Sequence, residues 1–122
     1  MKFNATITGW GVDALDALID DDFNAIVIFN EGAPPELADI CVLHTVSEVY
    51  NDPAVGDVVI VCGKQYEITA VGEDVQNTLK GLGHCTLSFK GGSEPLLPGC
   101  IMLEGEPFSA SDIVKGGKIQ IF

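Results

Sequence analysis

The chain has 122 residues, 47% hydrophobic and 20% charged, and its 18 acidic residues against six lysines give a formal charge of −12. That length suits one domain around one core, and the composition excludes both a disordered chain and a coiled coil. With no arginine and so acidic a balance, nucleic acid and anionic membrane are poor partners, whereas a basic protein would be drawn in by long-range attraction.

Phe3, Ala5 and Ile7 alternate with Asn4, Thr6 and Thr8, which predicts a strand over Phe3–Trp10. Val12–Leu18 reads as one or two helical turns with Leu15 and Leu18 on one face, ahead of the acidic cluster Asp20-Asp21-Asp22. Ala25–Phe29 reads as a buried strand. The following Asn30-Glu31-Gly32-Ala33-Pro34-Pro35 must turn, because its prolines fix φ and remove donors. Pro35 suits the first position of a short helix running through Ile40, with Glu36 at its positive end.

Val42–Val46 is extended, and Asn51-Asp52-Pro53 is a turn. Val58–Val61 and Tyr66–Val71 flank Cys62-Gly63-Lys64-Gln65 as a hairpin, Gly63 supplying a positive φ. Asp74–Leu82 is the strongest helix: Asp74 can cap it, Val75, Leu79 and Leu82 share a face, and Gly81 or Gly83 can end it. His84–Phe89 follows as a strand, and the pairs Gly91-Gly92, Pro98-Gly99 and Gly116-Gly117 set off two more, Ile101–Leu103 and Lys118–Phe122. Many short strands and few helices predict a mainly β domain over residues 1–122, a small closed or nearly closed antiparallel barrel with one or two short helices. Open strand edges would allow a homodimer.

The longest apolar runs, Ala25–Phe29 and Val58–Cys62, are far shorter than the roughly 20 residues of a membrane-spanning helix. Met1-Lys2 leads into mixed polar residues rather than a secretory signal, so a cytoplasmic location is expected, and Asn4-Ala5-Thr6 is a chance glycosylation pattern. Cys41, Cys62, Cys85 and Cys100 are scattered singly, mostly among apolar neighbours, and read as reduced, buried thiols.

The chemical inventory is short. Two histidines, His44 and His84, are the groups best suited to nucleophilic work near neutral pH, where a neutral imidazole offers an attacking nitrogen once its other nitrogen has a partner. A lone histidine ending an apolar strand is more often a hydrogen-bonded structural residue. Cys41-x-x-His44 with His84-Cys85 could instead supply four zinc ligands, although neighbours on a strand point to opposite faces and a bulge would be needed at His84-Cys85. No G-x-S-x-G elbow, phosphate-binding G-x-x-x-x-G-K-[ST] loop or dinucleotide fingerprint is present.

The run Phe29-Asn30-Glu31-Gly32-Ala33-Pro34-Pro35-Glu36-Leu37 and its continuation to His44 resembles the F-x-E-G-A-P-x-x-L segment that leads to the phosphorylated histidine of glucitol/sorbitol-specific IIA components of the bacterial sugar phosphotransferase system. Thr69-Ala70-Val71-Gly72, Leu79 through Phe89 and Pro98-Gly99 extend the similarity over most of the chain; Thr45-Val46-Ser47 departs from it. The resemblance implies a barrel-like phosphocarrier needing no cofactor. Its histidine, matched by His44, accepts a phosphoryl group from the histidine-containing phosphocarrier protein and passes it to a IIB cysteine, IIC being the membrane part. It would meet the membrane only through that permease.

A phosphoryl group brings roughly −2 charge to a protein that has no arginine to clamp it. The neutral donors at hand are the backbone N–H groups of the turn around Gly32 and Ala33, the Thr45 hydroxyl, and His84 as a partner of the adduct. A noncatalytic regulatory or binding module of the same fold is the alternative, with a small zinc protein behind it.

Overall fold

The computed structural model describes residues 1–122. Its eight strands are β1 (Phe3–Trp10), β2 (Ala25–Asn30), β3 (Val42–His44), β4 (Val58–Val61), β5 (Lys64–Val71), β6 (Cys85–Ser88), β7 (Cys100–Gly105) and β8 (Lys118–Ile121). They close into a barrel in the order β1-β3-β2-β6-β7-β5-β4-β8, with β8 returning to β1. This is the mainly β, closed architecture expected from the sequence. Most seams are antiparallel, but β2 runs parallel to β3 and β6 parallel to β7, a feature that an antiparallel reading lacks. A parallel neighbour requires a crossover rather than a tight hairpin. The β2–β3 crossover carries a short helix, α2 (Pro35–Ala38), started by Pro35 after Pro34; the β6–β7 crossover, residues 89–99, is irregular.

The hairpin between β4 and β5 turns on two residues, Cys62 (φ 49°) and Gly63 (φ 84°), so a cysteine shares the left-handed turn conformation expected of the glycine alone. Two further helices complete the chain: α1 (Asp16–Ile19), shorter and later than the Val12–Leu18 pattern, and α3 (Val75–Leu82); a 3₁₀ turn spans Ala110–Asp112. Asp74 precedes α3 with helical φ/ψ and makes no side-chain cap; its own N–H donates to Pro98 O at 2.9 Å. Val75 and Leu79 are buried as the periodicity requires, whereas Leu82 is left 48% exposed.

The core lies inside the barrel. Alternation on β1 sends Phe3, Ala5 and Ile7 inward to meet Ile119 and Ile121 of β8, Val59 and Val61 of β4, and Tyr66 and Ile68 of β5. On β7, Ile101 and Leu103 join that core while Cys100 and Met102 form a second small cluster with Ala70, so both faces of this strand are covered. No helix is long and apolar enough to cross a membrane.

Candidate functional site

Because β2 and β3 run parallel and finish side by side, Asn30 and His44 are register partners at their ends. The turn from α3 into β6, at Gly83-His84, folds over the same end of the barrel. His44 is wholly buried, 0% exposed, with its ring edge-on to Phe3 at 5.6 Å. Its Nδ1 lies 2.8 Å from Thr45 O and its Nε2 2.8 Å from Gly83 O. A neutral imidazole has one N–H, so it donates to one of these carbonyls and presents a lone pair to the other; only the doubly protonated ring satisfies both. None of the three surface clefts is lined by His44, so the ring is shut away from solvent in this conformation.

The turn that closes it depends on glycine. Gly83 ends α3 at φ 61°, its N–H bonding Leu79 O and the His84 N–H bonding Thr78 O. A Cβ there would fall on Asn30 Oδ1 and stand 2.7 Å from both Asn30 Cγ and His44 Cε1. Asn30 Oδ1 is itself buried without a hydrogen-bond partner. Buried polar atoms are nearly always paired, so Asn30 Oδ1 stands out beside the ring; Tyr66 Oη is the other buried side-chain atom without a partner.

β3 stops at His44 rather than running to Val46 because Thr45 closes the ladder with its side chain. Its N–H donates to Thr6 O, its Oγ1 accepts the Thr6 N–H at 3.0 Å, and its carbonyl faces His44. Thr45 therefore meets the imidazole through its carbonyl, not its hydroxyl. In the β2–α2 turn, Ala33 N–H is committed to Asn30 O and Glu31 N–H to His44 O, whereas Gly32 is exposed and its N–H meets no backbone acceptor. His84 is half-buried. Its Nδ1 donates to Ile28 O at 3.1 Å and its ring leans on Phe29 with centroids 4.9 Å apart. The two imidazoles are not hydrogen-bonded to each other; they are linked through the Gly83 peptide.

The structure thus brings His44, His84, the Gly32-Ala33 turn and Thr45, all named from the sequence, to one end of the barrel. The sequence reading missed Asn30, which had only turn chemistry to recommend it, and it saw Gly83 solely as a helix stop. The set Cys41, His44, His84 and Cys85 does not assemble, and no three His, Cys, Asp or Glu side chains gather as a metal site. All four cysteines are free. Burial pushes each thiol above its ordinary range, which suits packing better than nucleophilic chemistry.

A family model described as the PTS system glucitol/sorbitol-specific IIA component matches residues 2–120. The PTS system glucitol/sorbitol-specific EIIA components of Escherichia coli (strain K12) and Shigella flexneri are each 35% identical to the chain over 103 residues, 84% of it and 81% of the relative. The crystal structure of a PTS system IIA component from Enterococcus faecalis V583 superposes with a TM-score of 0.74 and 26% identity, over 96% of this chain and 97% of that one.

Proposed function

The chain belongs to the PTS glucitol/sorbitol-specific IIA component family, and on that footing we propose that His44 is the residue on which it carries a phosphoryl group. The donor is the histidine-containing phosphocarrier protein, the acceptor a cysteine of a IIB component coupled to a IIC permease, and the exchange takes place in the cytoplasm. The observation that carries the assignment is the 2.8 Å approach of His44 Nδ1 to Thr45 O. When Nδ1 donates to Thr45 O, Nε2 holds the lone pair and is the nucleophile; in the opposite tautomer Nε2 donates to Gly83 O instead. With the proton on Nδ1, Nε2 and Gly83 O confront each other as two acceptors 2.8 Å apart. The contact is unfavourable and is relieved by moving the Gly83 peptide, so the form of the ring that can attack is also the form that loosens its cover. As Nε2 takes the phosphoryl group, positive charge grows on the ring and the Nδ1–H to Thr45 O bond strengthens.

A second reading rests on His84. Its Nδ1 is fixed by Ile28 O and its ring is partly exposed, so it needs no opening to be reached. Incubation with phosphoenolpyruvate and the general phosphotransfer proteins, followed by mass spectrometry, separates the two. The expected result is one phosphoryl group per chain, lost in His44→Ala and His44→Gln and retained, with slower or pH-shifted transfer, in His84→Ala. Loss in His84→Ala with retention in His44→Ala transfers the role to His84, and no label in the wild type favours a noncatalytic module.

A further inference from the structure

Resting on the assignment of the phosphoryl group to His44, we infer that Asn30 holds that group: its side-chain amide, whose oxygen is buried without a partner, turns its NH₂ to donate to a phosphoryl oxygen once the Gly83 turn has moved off the ring. Asn30 and His44 are register partners, and the Asn30 amide and the edge of the imidazole near Cε1 both abut Gly83. A phosphoryl group on Nε2 must occupy the space that the Gly83 peptide now fills, because Gly83 O lies 2.8 Å from that nitrogen. When the peptide leaves, the two groups it touched face the same opening.

Asn30 Oδ1 has no donor in the closed state. An asparagine amide is symmetric enough in shape that a half-turn about χ2 exchanges its oxygen for its NH₂. Its amide thus leaves one buried atom unpaired when the histidine is free and gains a strong acceptor for its NH₂ when the histidine is phosphorylated. This answers the charge problem posed by a chain of −12 without arginine: a neutral donor binds the phosphoryl oxygens firmly enough to orient them and weakly enough to release them. In the step itself the Nε2 lone pair forms the new N–P bond while the donor's N–P bond breaks, its electron pair returning to the donor imidazole. The His44 Nδ1 proton stays hydrogen-bonded to Thr45 O, and no other reactant is consumed.

Two measurements on the full chain test this. In ¹H–¹⁵N spectra, the Asn30 side-chain amide protons should move on phosphorylation of the wild type by phosphoenolpyruvate and the general phosphotransfer proteins. In Asn30→Ala, the equilibrium partition of the phosphoryl group between the donor carrier and this protein should fall about tenfold, the worth of a hydrogen bond to a charged group. The ³¹P resonance of phospho-His44 should shift, and its hydrolysis should quicken. The thermal midpoint of the unphosphorylated variant should stay level or rise, since an orphaned polar atom is removed. An unmoved amide resonance in a wild type phosphorylated on His44 overturns the role of Asn30 alone, as does an unchanged partition and ³¹P shift in the variant. A wild type with no label on His44 overturns the parent assignment as well.

Discussion

Replacing Gly83 by alanine is the sharpest test of how the barrel end is closed, because two separate costs can be told apart with one control. The first is conformational: at φ 61° a Cβ crowds the backbone, a penalty of about 1–2 kcal/mol. The second is contact. The new methyl would stand 2.7 Å from His44 Cε1 and from Asn30 Cγ, well inside ordinary van der Waals separation. Asn30 can swing aside, but His44 is wedged between two carbonyls and Phe3. Overpacking of that kind costs about 1–3 kcal/mol, so the sum for Gly83→Ala is about 2–5 kcal/mol. Gly63, at φ 84° in the β4–β5 hairpin, has nothing within 4 Å of the position a methyl would take, so Gly63→Ala should cost only the conformational part, about 1–2 kcal/mol. Urea unfolding followed through Trp10 fluorescence should give unchanged slopes and a clearly lower midpoint for the Gly83 variant than for the Gly63 variant. Equal midpoints would mean that the Gly83 turn does not press on the site, and the account of a covered histidine would fall with it.

Three other outcomes follow from the chemistry of the surface and the core. With Cys41, Cys85 and Cys100 buried and Cys62 half-buried, a thiol reagent at neutral pH should label Cys62 first and the other three only on unfolding. Since burial raises all four thiols, the unfolded chain loses these protons at lower pH than the folded one. Stability should therefore be intact below about pH 8.5 and decline above it, as urea midpoints at successive alkaline pH values would register. If the −12 charge steers a basic donor, the bimolecular phosphotransfer rate should drop as added salt shortens the Debye length below about 10 Å; a rate indifferent to salt would leave the charge with solubility alone.

Much of the architecture was legible because it depends on short-range chemistry. The period-two alternation of Phe3–Trp10, the apolar runs of β2 and β4, the proline pair before α2 and the glycine that ends α3 each act within a few residues, and each of these elements lies where its pattern placed it. His44 stood out by residue type and by the segment leading to it. Strand direction was not legible: alternation reports which face a residue takes, not which neighbour its strand joins, so nothing in Ala25–Asn30 or Val42–His44 announced a parallel pair. That pairing sets Asn30 beside His44. Nor could the sequence show that a carbonyl from residue 83 reaches the ring of residue 44, because this contact is made by barrel closure, which folds the α3–β6 turn over the ends of β2 and β3. Local sequence selected the histidine and the turns around it. Its burial, its hydrogen-bond partners and the unpaired amide oxygen at its side were decided by contacts between segments far apart in the chain.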